Sequence, residues 1–87
     1  MVYRLEYKSS VKKELRELSR VDRIAIVHKI ELLRSQPRPE GSAKLKGSRD
    51  LFRIRHGDYR VIYHIKKEVL IIIIIRIGHR REAYKNL

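Results

Sequence analysis

Three arginines lie in two adjoining segments of the chain, and each segment has an alternating pattern of side chains. Arg53 and Arg55 lie in the first segment and Arg60 in the second, and the dipeptide Gly57-Asp58 separates the two. Side chains at alternate positions of a β-strand point to the same face, so a hairpin built on this dipeptide would gather these guanidinium groups on one surface. A guanidinium group can donate two hydrogen bonds to one phosphate. The spacing therefore favours a surface that binds a nucleic-acid backbone.

The turn dipeptide also predicts which residues face each other. Glycine at its first position suits a two-residue type II′ turn, and the resulting register places Arg55 opposite Arg60. Like charges in that position weaken an isolated sheet, which favours a site that an anion occupies. His64 would share this face, and Arg76 would join it from the following strand. The alternative is that basic residues on solvent-facing strands only prevent edge pairing with other chains. The predicted pairs are His56 with Tyr59, Arg55 with Arg60, Ile54 with Val61, Arg53 with Ile62, and Phe52 with Tyr63.

The net charge also indicates a polyanionic partner. The 87 residues include 22 Lys and Arg against 10 Asp and Glu, which gives a formal charge of +12 at pH 7. Nucleic acid most commonly balances such an excess, followed by an acidic protein and an anionic membrane, and solubility alone is the alternative explanation. A separate basic patch, Lys44-Leu45-Lys46, lies within residues 36–47, whose Pro, Gly and Ser content predicts a loop.

Several classes of protein are disfavoured by composition. Cysteine is absent, so we expect neither disulfides nor thiolate metal sites, and a hydrophobic fraction of 43% must form the core. The first residues carry charge where a signal peptide needs an apolar centre, and the longest apolar run, residues 69–75, is far shorter than the roughly 20 residues that span a bilayer. We therefore expect a cytoplasmic protein with no membrane segment, folded as one domain over residues 1–87. No metal or other cofactor is expected, because the histidines lack metal-ligand spacing: His28, His56, His64 and His79.

Hydrophobic periodicity predicts the elements that position the basic residues. Residues 2–7 alternate between polar and apolar and predict a strand. A helix should follow, capped by Ser9 or Ser10. The apolar positions of this first helix are Val11, Leu15 and Leu18.

A broader apolar stripe predicts a second helix, which the short link 19–21 joins to the first as a helical hairpin. This helix should begin near Asp22 and end before Pro37, because proline disfavours helical backbone at the preceding residue. Its predicted buried positions are Ile24, Ile26, Val27, Ile30, Leu32 and Leu33.

The second half of the chain predicts an antiparallel sheet. Residues 51–56 and 59–65 form the hairpin described above, and residues 69–77 form a third strand, whose unbroken isoleucines indicate burial on much of both faces and hence a central position. Residues 78–87 form a charged tail with no predicted element. The sequence thus predicts an α+β fold: an N-terminal strand, a helical hairpin and a three-stranded antiparallel meander in one sheet, with the helices packed on one face.

Four motifs follow one another in the second half of the chain: Lys44-Leu45-Lys46-Gly47, Leu51-Phe52-Arg53-Ile54-Arg55, Gly57-Asp58-Tyr59-Arg60-Val61-Ile62-Tyr63 and Ile77-Gly78-His79-Arg80-Arg81-Glu82-Ala83-Tyr84. With these motifs and the order of its predicted elements, the chain resembles the RelE/ParE toxin superfamily over its whole length. The resemblance implies a cognate acidic or amphipathic antitoxin that forms a hetero-oligomer with the toxin. In RelE-type members it also implies cleavage of mRNA on the ribosome, through attack of a 2′-OH on the adjacent phosphodiester.

Carried over by position, the resemblance implies two groups of site residues. The implied mRNA-binding residues are Lys44, Lys46, Arg53, Arg55, Arg76 and Arg81. The implied catalytic residues are Arg60, His79, Arg80 and Tyr84. RNA cleavage of this kind needs a proton acceptor for the 2′-OH, stabilisation of negative charge and a proton donor for the leaving 5′-oxygen, and arginines supply the electrostatic part.

Two residues compete for the proton transfer. Histidine is the residue type that ordinarily exchanges a proton near neutral pH, which makes His79 a candidate, whereas a tyrosine such as Tyr84 could act as a base only if nearby cations favoured its phenolate. Either ring could instead stack on an mRNA base. Two other functions stay open at this point. One is a ParE-like toxin, which inhibits DNA gyrase without cutting RNA and generally lacks the catalytic basic cluster, and the other is a non-catalytic RNA-binding or antitoxin-binding remnant.

Overall fold

The computed structural model of this protein describes residues 2–87 and has one five-stranded sheet with two α-helices. The strands lie in the order β1-β5-β4-β3-β2, in which β1 runs parallel to β5 and the other neighbours are antiparallel. The elements in chain order are β1 (Arg4–Tyr7), α1 (Ser9–Arg16), α2 (Arg20–Leu32), β2 (Ala43–Lys44), β3 (Leu51–His56), β4 (Tyr59–Lys66), β5 (Ile71–His79) and a 3₁₀ helix (Arg80–Tyr84). The predicted α+β class, helical hairpin and meander are confirmed. The two-residue strand β2 adds a fifth strand inside the predicted loop.

The β3–β4 hairpin has the register that its turn predicts. Arg55 lies opposite Arg60, and every other predicted pair from His56–Tyr59 to Phe52–Tyr63 is present. Gly57 has a φ of 56°, whereas Asp58 is not among the residues with positive φ. A positive φ at the first turn position alone is the backbone that a type II′ turn requires, which explains the glycine.

The core lies between the helices and one face of the sheet, which we call the helix side. The opposite face is the arginine side. Side chains at alternate positions of β3 and β4 separate onto these two faces, as strand geometry requires. The buried core residues are Val11, Ile26, Ile30 and Leu33 from the helices, and Phe52, Ile54, Val61, Tyr63, Ile65, Ile72, Ile74 and Ile77 from the sheet.

Helix α2 buries a narrower stripe than the sequence predicts. Ile26, Ile30 and Leu33 are fully buried and follow i, i+4, i+7 spacing, which places them on one face. Ile24 and Leu32 are 58% and 53% exposed, so the prediction that they are buried is wrong. The sheet accepts one face of the helix, and apolar residues beyond that face stay in solvent.

The helix starts also differ from the predictions. Helix α1 has Lys8 at its N-cap with no side-chain cap, so neither Ser9 nor Ser10 caps it. Helix α2 begins at Arg20, where the Ser19 hydroxyl accepts a hydrogen bond of 3.1 Å from the backbone N–H of Asp22. Asp22 therefore lies in the first turn, where a carboxylate interacts favourably with the helix dipole.

A bulge in β5 reverses the alternation of its side chains. Tyr63 pairs with Ile74 and Ile62 pairs with Arg76, so Ile75 is the extra residue. Without the bulge, regular alternation would place Arg76 on the helix side with Ile74. The strand begins at Ile71 rather than at residue 69, and it lies in the interior of the sheet between β1 and β4.

Tyr63 links the sheet to the loop after α2, and its hydroxyl makes a measurable contribution to stability. The buried phenol donates a 2.6 Å hydrogen bond to the carbonyl of Pro37. We expect Tyr63→Phe to lower the free energy of unfolding by about 1–2 kcal/mol, because the carbonyl then loses its partner. Urea denaturation measures this change, and Tyr3→Phe at a half-buried position is the control.

Burial also raises the pKa of Tyr63 from 10.0 to about 12. The phenol of the unfolded chain therefore ionises first, so the parent should lose stability as the pH rises from 10 to 12. The Tyr63→Phe variant should lose less over the same range. An equal loss in both proteins would contradict the assigned role of this hydroxyl.

Candidate functional site

The strand register gathers arginines on the face of the sheet that the α-helices leave uncovered. Arg55 lies opposite Arg60, while Arg53 lies opposite Ile62, whose other neighbour is Arg76. Because paired residues project to the same face, these arginines share the arginine side. The structure confirms the prediction that Arg53, Arg55 and Arg60 lie on one face of the sheet. The bulge in β5 brings Arg76 to the same face.

The arginines differ in how they are held. Nη1 of Arg60 donates 3.0 Å hydrogen bonds to the carbonyls of Gly57 and Tyr59, which fixes this side chain against the turn. Nη1 of Arg53 donates to the carbonyl of Gly41 at 3.2 Å. Arg55 is exposed, and its guanidinium has no hydrogen bond or ion pair within residues 2–87. Arg55 is therefore the arginine of this face that is most available to an external anion.

Asp58 connects the turn to the end of β5. Its carboxylate lies 3.0 Å from Nε of Arg80 and 3.7 Å from Nε2 of His79, and its backbone carbonyl accepts a 2.6 Å hydrogen bond from the N–H of Arg80. The hydrogen bond from Arg80 lowers the pKa of Asp58 most, partial desolvation opposes it, and the charges of Arg80, His79 and Arg60 lower it further. The carboxylate thus stays ionised and brings two of the four predicted catalytic side chains, His79 and Arg80, to the β3–β4 turn.

The role of Asp58 was missed by the sequence interpretation, which assigned this residue to the turn only. The sole signal is its place next to the glycine, since its partners lie more than twenty positions along the chain. Only the β4–β5 register, in which Tyr59 pairs with His79, shows that they meet.

His79 and Arg60 project from opposite faces of the sheet. His79 pairs with Tyr59 and makes an edge-to-face contact with its ring, with centroids 5.4 Å apart, whereas Arg60 pairs with Gly78. Tyr59 packs against the helix-side core. His79 is therefore at the end of the sheet beside Tyr59, and it reaches the arginine side only through the shared carboxylate of Asp58.

The 3₁₀ helix folds the end of the chain over the arginine side. Ala83 is fully buried, and so is Ile62, which lies on the same face as the arginines. A Cβ atom on Gly78 would lie 2.8 Å from Cα of Ala83, so the two segments touch at backbone distance. Tyr84 follows directly and is 40% exposed. The tail, for which the sequence predicted no element, thus forms one wall of the site.

Comparisons with known proteins show the family to which the chain belongs. The family model described as ParE toxin of type II toxin-antitoxin system, parDE, matches residues 5–84. RelE1, a candidate toxin of Methanocaldococcus jannaschii, is 35% identical over 99% of both chains. The chain belongs to the RelE/ParE toxin superfamily.

Solved structures of RelE/ParE toxins in complex with antitoxins have the same fold. The archaeal RelE–RelB complex from Pyrococcus horikoshii OT3 matches with a TM-score of 0.83 and 32% identity, over 95% of this chain and 100% of that chain. The intact E. coli RelBE toxin–antitoxin complex matches with a TM-score of 0.80 and 27% identity, over 91% and 98% of the two chains.

The remaining basic residues predicted for this RelE/ParE chain lie outside the arginine cluster. Lys44 pairs with Phe52, so it projects to the helix side at the β2 edge, and Lys46 is exposed in the following turn. Arg81 is exposed on the 3₁₀ helix. His64 lies 3.7 Å from Asp50 at the far end of the hairpin. The structure thus gathers Arg53, Arg55, Arg60 and Arg76 on one face and leaves these other basic residues apart from them.

A second surface of this toxin chain is apolar. Val21, Ile24 and Leu32 lie along one exposed side of α2, at 76%, 58% and 53% exposure. Beside it, a groove of about 340 Å³ opens between α2 and β3, where Nζ of Lys29 donates a 2.9 Å hydrogen bond to the carbonyl of Arg55. The groove is lined by Lys29, Leu32, Pro39, Glu40, Gly41, Ile54 and Arg55.

Two further properties of residues 2–87 bear on what the chain can bind. No helix in this range has the length and apolar character needed to cross a lipid bilayer. Within the same range, no cluster of three His, Asp or Glu side chains is arranged to hold a metal ion.

Proposed function

We propose that this toxin is a metal-independent, ribosome-dependent endoribonuclease that cleaves mRNA in the cytoplasm and thereby inhibits translation. The observation that supports the proposal is the convergence of Arg53, Arg55 and Arg60 on the arginine side, next to Asp58 and its partners His79 and Arg80. ParE-like members generally lack such a cluster, as the resemblance described above implies. Fold alone would not distinguish the two functions.

The reaction we assign to this face is transesterification. The 2′-OH loses its proton to a base, the 2′-oxygen bonds to the adjacent phosphorus, and the bond from phosphorus to the 5′-oxygen breaks as that oxygen takes up a proton. The products are a 2′,3′-cyclic phosphate and a free 5′-OH. Negative charge builds up on the phosphorane oxygens, and directed hydrogen-bond donors stabilise it best when their positions are fixed beforehand.

The positions of the arginines suit this demand. Arg55 and Arg60 face each other across β3 and β4, so both guanidinium groups can contact a single phosphate. Arg60 is already held by the turn carbonyls, which lowers the cost of placing it in the transition state. Arg80 is fixed on the other side of the turn by Asp58.

Mapping mRNA 5′ ends after brief induction of the toxin tests the proposal. Codon-phased cuts in translated messages are expected. The match to the ParE family model favours gyrase inhibition as the second candidate, and DNA damage without phased cuts would select it. Absence of both effects would select the non-catalytic alternative.

We propose further that a cognate antitoxin binds this toxin through an acidic or amphipathic segment, in a hetero-oligomer. The support is chemical: a chain of net charge +12 carries an exposed apolar stripe on α2 beside a groove that Lys29 lines. An amphipathic helix with acidic residues would match both features. Several solved relatives are toxin–antitoxin complexes.

This partner should be recognised by two separable contributions. We expect antitoxin affinity to weaken with rising salt, and Lys29→Gln to flatten that salt dependence, because exposed charges are screened. Ile24→Ser should lower affinity by about tenfold or more without changing the slope, since it removes apolar area. Isothermal titration at several ionic strengths measures both effects. An affinity that is independent of salt would show that charge does not recruit the antitoxin.

A further inference from the structure

Arg76 makes contacts that differ from those of the other arginines on its face. Its Nη1 donates to the carbonyl of Ala83 at 3.4 Å and also to the carbonyl of Lys85. These two carbonyls lie on either side of Tyr84. The guanidinium group of Arg76 therefore binds the backbone on both sides of Tyr84.

The fold places Arg76 there by a specific device. The extra residue Ile75 in β5 turns Arg76 onto the arginine side, opposite Ile62 and under the end of the 3₁₀ helix. Bulges commonly re-aim a side chain in this manner. Without the bulge, the arginine would point to the helix side, away from these carbonyls.

The 3₁₀ helix needs such contacts because it is too short to be stable alone. Five residues form at most a few i to i+3 hydrogen bonds, and nucleation of an isolated helical turn is unfavourable. Asp58 holds the first residue, Arg80, by a side-chain and a backbone contact. Ala83 fits against Gly78 in the middle, and Arg76 holds the end.

We propose that Arg76 is a positioning residue that holds Tyr84 over the arginine side by binding the carbonyls before and after it. This inference rests on the proposed nuclease function, with Tyr84 in the role at the mRNA that the family resemblance implies. It replaces the predicted role of Arg76 as a direct phosphate contact. A direct contact and a positioning role differ in what their removal changes, so they can be separated.

The test compares Arg76→Gln and Arg76→Lys with Arg4→Gln, which removes an arginine from the same face in β1, where it pairs with Glu6. Amide hydrogen exchange should accelerate in residues 80–85 of Arg76→Gln while β3, β4 and β5 stay protected. The single-turnover cleavage rate on programmed ribosomes should fall by about 10²-fold, because small misplacements of a reacting group are costly. The ribosome concentration at half-maximal rate should not change.

The conservative variant separates charge from geometry. Arg76→Lys keeps the charge, but its ammonium group lies on a shorter side chain than Nη1, which donates to both carbonyls, so it should restore only part of the rate. Full recovery in Arg76→Lys, together with a raised half-maximal ribosome concentration in Arg76→Gln, would show a phosphate contact and overturn the proposal.

A double-variant cycle provides the decisive measurement. On a Tyr84→Ala background, Arg76→Gln should slow cleavage no further, since its effect passes through Tyr84. Additive slowing would overturn the positioning role. Gly78→Ala offers an independent route, because its Cβ would press on Ala83 and displace the 3₁₀ helix without changing charge.

The hydrogen-exchange measurement tests the clamp on the tail, and the cleavage measurement tests the proposed nuclease function. A parent toxin that cuts no mRNA would remove the proposed function, while faster exchange at residues 80–85 would still support the clamp on the tail. Unchanged exchange in Arg76→Gln would overturn the clamp even if the parent cleaves.

Discussion

Arg60→Ala should slow cleavage of ribosome-bound mRNA by about 10²–10³-fold, the effect of removing a fixed donor from a developing negative charge. Arg60 lies on the open face and bonds only the turn carbonyls of Gly57 and Tyr59, so its loss should leave the core intact. Single-turnover rates on purified ribosomes measure the effect. Arg16→Ala, on the exposed side of α1, removes the same charge far from the site and is the control.

The fold of Arg60→Ala must be verified independently, and circular dichroism with urea denaturation is sufficient. The double variant Arg55→Ala/Arg60→Ala should unfold at no lower urea concentration than the parent, because the like charges that face each other across the two strands are removed. A folded Arg60→Ala toxin that cleaves at the parent rate would exclude a phosphate-binding role for this arginine.

Local signals in the sequence were sufficient for the hairpin that carries the arginines. Gly57 requires a particular turn, the turn sets the register, and alternation then assigns each side chain to a face. Arg53, Arg55 and Arg60 were thus placed correctly without any knowledge of the rest of the sheet. Their convergence on one face follows from residues that lie close to them in the sequence.

Features that depend on the packing of distant segments were not predictable. The isoleucine run of β5 carries no alternation, so nothing in it marks the bulge at Ile75 that redirects Arg76. The apolar residues Ile24 and Leu32 resemble core positions, yet the sheet covers only one face of α2. The ion pair between Asp58 and Arg80 joins the β3–β4 turn to the 3₁₀ helix through the β4–β5 pairing, which hydrophobic pattern alone does not specify.

The geometry also narrows the choice between the two candidates for proton transfer. His79 lies beside Tyr59 at the end of the sheet, whereas Tyr84 belongs to the 3₁₀ helix that covers the arginine side.

Asp58 does not titrate in the same pH range as this chemistry. The hydrogen bond from Arg80 and the nearby positive charges lower the pKa of the Asp58 carboxyl, so its contribution to stability is lost only as the pH falls through this lowered pKa. A change of cleavage rate near neutral pH therefore does not come from Asp58.

We expect Tyr84→Phe to reduce the single-turnover cleavage rate by about 10²–10⁴-fold, the usual contribution of a positioned acid or base, and His79→Gln to have a much smaller effect. The phenylalanine variant keeps the ring, so it should still bind programmed ribosomes, and a binding assay beside the rate measurement separates chemistry from stacking. If His79 carries the proton instead, His79→Gln will be the slower variant, and its pH profile will flatten near neutrality, where histidine titrates. Parent-like rates in both variants would exclude both residues from proton transfer. Catalysis would then rest on Arg55, Arg60 and Arg80 and on the alignment that the ribosome imposes on the mRNA, because fixed positive charge and in-line geometry can accelerate the reaction without a dedicated acid or base.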